Sequence, residues 1–167
     1  MWVVGRRGRR KTVCARGAHR AWSCGRSTSP LEVMASARLR VRDPGDDLVV
    51  SSRGDLDALL DAAAAEARTR ALLNVVVLIA GNGNELSLVI GSTETVLGFT
   101  SCGPRLAHYA SLGATQTTEP LFTAYVGLSH HTEFPRRFVI PASQGRAAAI
   151  EFLETGTRPT SVTWVPA

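Results

Sequence analysis

The densest group of titratable side chains in this chain is His130-His131 followed by Glu133. Histidine and glutamate serve as zinc ligands and as general acids or bases. The spacing favours neither role. Adjacent residues of an extended segment point to opposite sides, so His130 and His131 do not easily hold one ion. Acid–base catalysis needs a nucleophile in reach, and Cys102 with His108 is the candidate pair, with His131 as a third member of a small hydrolase or transferase site. No nucleophile elbow or helix start surrounds Cys102, which reads more simply as a small buried hydrophobe. Ser129 lies outside any Gly-x-Ser-x-Gly pattern. Gly81-Asn82-Gly83 lacks the lysine and following helix of a phosphate loop. Cys14, His19 and Cys24 offer three ligands with no fourth nearby. The sequence therefore assigns no catalytic residue, no metal ligand and no cofactor, and the chain reads as a non-enzyme.

Charge is unevenly spread. Eight of the 19 Lys/Arg residues and one of the 14 acids fall in residues 1–33, leaving 11 basic and 13 acidic groups beyond, a net of −2. The basic segment has no hydrophobic period and is expected to be disordered. Met34 as the true first residue is the favoured reading of this segment. An arm that attracts phosphates and an organelle transit peptide are the alternatives. The chain has no signal-peptide core and no apolar run of the ~20 residues a membrane span requires. Three cysteines without a Cys-x-x-Cys pair fit a reducing cytosol. Aromatic residues make up 6% of the chain, too few for a base-stacking surface. Nucleic acid is thus a partner only through the tail. Two domains follow: the tail, 1–33, and a folded unit, 34–167.

Local patterns place the elements that would hold any site. Arg38 to Arg42 alternates and reads as an edge strand, paired as a hairpin with Asp47 to Ser51 across the Asp43-Pro44-Gly45-Asp46 turn. Ser52 or Arg53 opens a helix with Asp55 and Asp57 in its first turn, and Leu56, Leu59, Leu60, Ala63, Ala64 and Ala67 form one stripe. Leu72 to Ala80 is a β-branched apolar run expected to be a central strand covered on both faces. Asn82-Gly83 turns it back into Glu85 to Ile90, and Val96 to Phe99 continues the meander. Residues 101–119 and Gly127 to Pro135 read as long loops, separated by a Leu121 to Val126 strand with Phe122 and Tyr125 on opposite faces. Arg137 to Ile140 reads as a strand. Pro141 starts a second helix, Gly156 stops it, and Ser161 to Val165 closes the sheet. The expected fold is α+β, a mostly antiparallel, meander-type sheet of six to eight strands on two helices.

Several of these pieces occur together in a known order. The acidic helix Asp55-Leu56-Asp57-Ala58-Leu59-Leu60, the hairpin with Leu88-Val89-Ile90-Gly91, the turn His130-His131-Thr132-Glu133-Phe134-Pro135 and the helix end Glu151-Phe152-Leu153-Glu154-Thr155-Gly156 resemble the Imm1 family of bacterial immunity proteins. The resemblance runs from about Arg38 to Val165. It departs from the family's pattern at Arg136-Arg137, where members often carry acids, and in the segment before Tyr125. It implies a cytoplasmic antidote that binds and inhibits a cognate toxin of deaminase or nuclease class, one to one, in a polymorphic toxin system. The expected contact surface is the two loops, with Tyr109 and Glu119 on one and His130, His131 and Glu133 on the other. An equally simple structural reading exists for Glu133-Phe134-Pro135, in which Phe134 docks into the core.

Overall fold

A computed structural model describes residues 39–41, 48–104, 106–113, 121–126 and 130–167, with 39–41, 126 and 130 described as backbone only. The expectations for residues 1–33, the turn at Asp43-Pro44-Gly45-Asp46, Glu119 and Ser129 fall outside these residues. The described elements are β1 (Leu39–Val41), β2 (Leu48–Val50), α1 (Arg53–Arg70), β3 (Asn74–Ile79), β4 (Glu85–Ile90), β5 (Glu94–Ser101), β6 (Ala107–Ser111), β7 (Leu121–Val126), β8 (His130–Pro135), a 3-10 turn (Arg136–Phe138), β9 (Val139–Pro141), α2 (Ala142–Thr155) and β10 (Trp164–Pro166).

The α+β class, the two helices and the mostly antiparallel sheet stand, but the sheet is mixed through one parallel contact. Its central order is β10-β6-β5-β4-β3-β1-β2, with β7 on β3, β8 on β7 and β9 on β5. All pairings are antiparallel except β3 with β7, which meet in parallel at Asn74 and Tyr125. Two segments read as loops are strands, β6 and β8. The expected Arg137 to Ile140 strand begins as the 3-10 turn and pairs only from Val139. β2, not β1, forms the edge.

Local signals explain the helices. The Ser52 Oγ accepts the Asp55 N–H at 3.1 Å, and the Asp55 carboxylate accepts the Ser52 N–H at 3.1 Å, a capping box that satisfies otherwise orphaned donors. The Ser52 hydrogen bond is the main reason the Asp55 carboxyl sits below its ordinary range. α2 ends at Gly156, whose φ of 62° is left-handed and suits a residue without a Cβ. The carbonyl of Gly156 accepts Nδ2 hydrogens from Asn82 at 2.9 Å and Asn84 at 2.8 Å, so the β3–β4 turn is tied to the end of α2.

Both helices pack on one face of the sheet. Leu56 and Leu60 of α1 and Ala148, Ala149, Phe152 and Leu153 of α2 meet Val76, Leu78, Leu86, Leu88, Leu97 and Phe99 in the main core. Because strand side chains alternate, Val75, Val89 and Val96 face the other way. There they meet Phe122, Ala124, Phe134 and Val139 in a second, smaller core. The apolar run of β3 is explained at Val75 and Val76, one facing each core. Val77 and Ile79 are only half-buried.

Both edges of the central sheet fork. The outer edge of β5 pairs with β6 over Gly98–Ser101 and with β9 over Glu94–Val96. Ser111 fills the gap, its Oγ accepting the Leu97 N–H at 3.0 Å and donating to the Phe138 carbonyl. The outer edge of β3 pairs with β1 at Leu78 and Ile79 and with β7 at Asn74. These forks bring β7, β8 and β9 over the sheet face that the helices do not cover.

Candidate functional site

The β7–β8 hairpin has two unlike faces. Its register pairs Leu121 with Pro135, Phe122 with Phe134, Thr123 with Glu133, Ala124 with Thr132 and Tyr125 with His131. Phe122, Ala124 and Phe134 point inward and are buried at 6%, 0% and 6% exposure. The alternate row points out: Leu121 is 47% exposed, Thr123, His131, Glu133 and Pro135 are exposed, and Tyr125 is half-buried. Three cross-strand pairs therefore form one surface, with Glu133 and Thr123 in the middle, Tyr125 and His131 at one end and Leu121 and Pro135 at the other.

This surface is held on a firm base. The Tyr125 N–H donates to the Leu73 carbonyl at 2.7 Å, which fixes β7 to the start of β3. Arg136 lies beneath the hairpin with its side chain 19% exposed, pairs with Glu94 at 2.5 Å and sits 5.4 Å from the centre of the Phe122 ring. The arginine that departs from the family pattern thus has a structural task, tying the end of β8 to β5. Among the described residues, no hydrogen bond or ion pair engages the Glu133 carboxylate.

The sequence-derived candidates divide in space. His131 and Glu133 lie side by side on the outer row, on a strand rather than in a loop. His130 is the first residue of β8, opposite Val126. Tyr109 is elsewhere, on β6 opposite Phe99. Its half-buried ring lies 6.4 Å from the Phe99 ring and beneath the Arg158 guanidinium at 4.1 Å. Three strands of the sheet, β5, β4 and β3, separate Tyr109 from the hairpin that carries His131 and Glu133. Tyr125, Thr123 and Leu121 were not among the expected contacts, although the alternation of β7 already set Tyr125 opposite Phe122.

The hydrolase alternative finds no support in this geometry. His108 pairs through Thr100 and Glu85 to Ile79, the last residue of β3. His131 pairs through Tyr125 to Asn74, the first residue of β3. The length of β3, about 17 Å at the usual strand rise, lies between these two positions. Cys102 is at the His108 end, where its N–H donates to the Asn84 side chain at 2.9 Å. Its thiol is exposed, so the buried role read from sequence is wrong: Cys102 follows the end of β5 at the sheet margin. His108 Nδ1 and Thr100 Oγ1 lie 3.2 Å apart. Among the described residues, no group of three or more His, Cys, Asp or Glu side chains could hold a metal ion.

The family model of Immunity protein Imm1 matches residues 44–166. The chain belongs to this immunity-protein family. The match takes in α1, both cores, the hairpin and β10, so the immunity-protein role attaches to the whole folded unit. A comparison with curated proteins finds no match. No helix among the described residues is long and apolar enough to cross a membrane.

The four sequence pieces that carried the resemblance prove to have distinct tasks. Glu151 at the end of α2 accepts the Thr160 N–H at 2.7 Å, the Thr160 hydroxyl at 2.8 Å and the Ser161 N–H at 3.1 Å. Burial pushes this carboxyl up, but the Thr160 and Ser161 hydrogen bonds outweigh it and hold its pKa at about 2. The acidic helix start is spent internally too: Arg146 of α2 bonds Asp57 at 2.7 Å and also pairs with Asp61. Desolvation works against the Arg146 charge, and the two aspartates more than offset it. Leu88 belongs to the main core and Val89 to the second. Only His131-Thr132-Glu133-Phe134-Pro135 combines a buried anchor with an outward polar row.

Proposed function

We propose that this protein is a stoichiometric antidote that binds the toxic domain of a cognate bacterial toxin, of deaminase or nuclease class, through the outer face of the β7–β8 hairpin. One observation carries the assignment of the surface: Tyr125, His131, Thr123, Glu133 and Leu121 form a single outward row, exposed except for the half-buried Tyr125, on a hairpin whose inner row is locked into a core. Interfaces are anchored by a few aromatic and charged residues, and rigid presentation lowers the entropic cost of binding. Family membership supports the immunity role. The resemblance suggests the toxin class and an antidote acting in the cytoplasm. His130 and Glu119, near the two ends of the hairpin in sequence, belong to the proposed margin of the surface, whereas Tyr109 does not.

The test is co-expression of the full chain with the C-terminal domain of the toxin encoded beside it. The expected outcome is a one-to-one complex that co-purifies and restores growth. Absence of both would overturn the reading.

A further inference from the structure

Many charges among the described residues are paired within the fold. Asp57 and Asp61 hold Arg146, Glu66 holds Arg70, Glu94 holds Arg136, and Glu151 holds the 160–161 backbone. Arg158 and Arg137 lie over the rings of Tyr109 and Phe138. Glu133 differs. It is exposed, and it occupies the centre of the outer hairpin row, where its immediate neighbours are uncharged or a histidine. Thr123 is directly opposite, His131 and Pro135 lie two residues along, and Leu121 and Tyr125 are the diagonal neighbours. Diagonal positions in an antiparallel pair are about 7–8 Å apart, within reach of long side chains.

A carboxylate with an aromatic ring on one diagonal, Leu121 on the other and Pro135 along its own strand matches one kind of partner group well. Arginine presents a planar fork to a carboxylate, stacks on an aromatic face and lays an apolar stem along aliphatic surface. Lysine offers only the charge. The inner side of the same hairpin already shows this combination, with Arg136 paired to Glu94 and placed over the Phe122 ring.

We propose that the outer face of the hairpin receives an arginine side chain of the toxin, its guanidinium paired with Glu133 and set against Tyr125, with its stem over Leu121 and Pro135. This rests on the toxin-binding reading above. Toxins that act on nucleic acid line their grooves with basic residues, and an acid aimed at such a groove blocks it while speeding association. The partner arginine is therefore expected to lie in the toxin's substrate groove.

The experiment measures affinity of the full chain for the toxin domain encoded beside it, over a range of salt, with wild type, Glu133→Gln and Glu133→Asp. Loss of a desolvated charge pair is expected to weaken Glu133→Gln about thirtyfold. Glu133→Asp should recover part of that loss. Wild-type affinity should fall more steeply with salt than that of Glu133→Gln. Because Glu133 is exposed, unchanged melting temperatures check that the variants fold. A wild-type complex that Glu133→Gln leaves equally tight overturns the arginine pairing and spares the antidote reading. No wild-type complex overturns both.

Discussion

Replacing Glu151 with glutamine should loosen the closing segment of the fold in a pH-dependent way. The carboxylate accepts three hydrogen bonds, from the Thr160 N–H and hydroxyl and the Ser161 N–H. These hold the segment in which the Pro159 carbonyl accepts the Trp164 indole N–H at 2.7 Å, just before β10. A glutamine keeps one acceptor and turns an NH2 group toward backbone donors. The depression of the carboxyl to about 2 from 4.5 corresponds to about 3 kcal/mol at face value. Glu151 is only half-buried, and solvent screening reduces this to about 1.5–2 kcal/mol. For a folded unit of this size that is a fall of about 5–7 °C in melting temperature. A carboxyl whose pKa is lower folded than unfolded contributes stability that is complete above pH 4.5 and is lost as pH falls through about 2. The gap between wild type and Glu151→Gln should therefore be full at pH 7 and shrink steadily below pH 4.5. Thermal unfolding followed by circular dichroism across that range measures it. A gap under about 0.5 kcal/mol at pH 7, or one constant down to pH 2.5, would refute the reasoning.

Other substitutions separate the scaffold from the surface. Gly113→Ala should destabilise by more than about 3 kcal/mol, because a Cβ there would sit 1.8 Å from the Val139 carbonyl oxygen; chemical denaturation measures the loss. Phe134→Ala should cost about 3–4 kcal/mol by emptying the second core, read from the same denaturation curves. Cys102→Ser and His108→Ala, alone or together, should leave growth rescue unchanged in a toxin challenge.

What was legible in the sequence is what local chemistry decides. Ser52 with Asp55, the Leu56 stripe, the Asn82-Gly83 turn and the Gly156 stop each mark their element within a few residues. β6 and β8 were not legible, because nothing inside them announces a strand. His130-His131-Thr132-Glu133-Phe134-Pro135 is poor in β-branched residues, and its strand character comes from pairing with Leu121–Val126. Ala107–Ser111 becomes a strand between β5 and β10, the latter more than fifty residues on in sequence. The parallel contact of β7 with β3 joins Asn74 to Tyr125 and depends on the whole sheet being assembled. Reading β8 as a loop hid its alternation, and so hid the link between Tyr125 and His131. The two long loops then seemed free to meet, whereas the sheet holds Tyr109 three strands away from the hairpin.

The most direct test of the hairpin surface is hydrogen exchange of the full chain, free and bound to the toxin domain. Toxin binding should slow exchange in peptides covering Leu121–Val126 and His130–Pro135, with little change in α1 or in peptides around Tyr109. Protection centred on α1 or on β6, with the hairpin unchanged in a stable complex, would contradict the account.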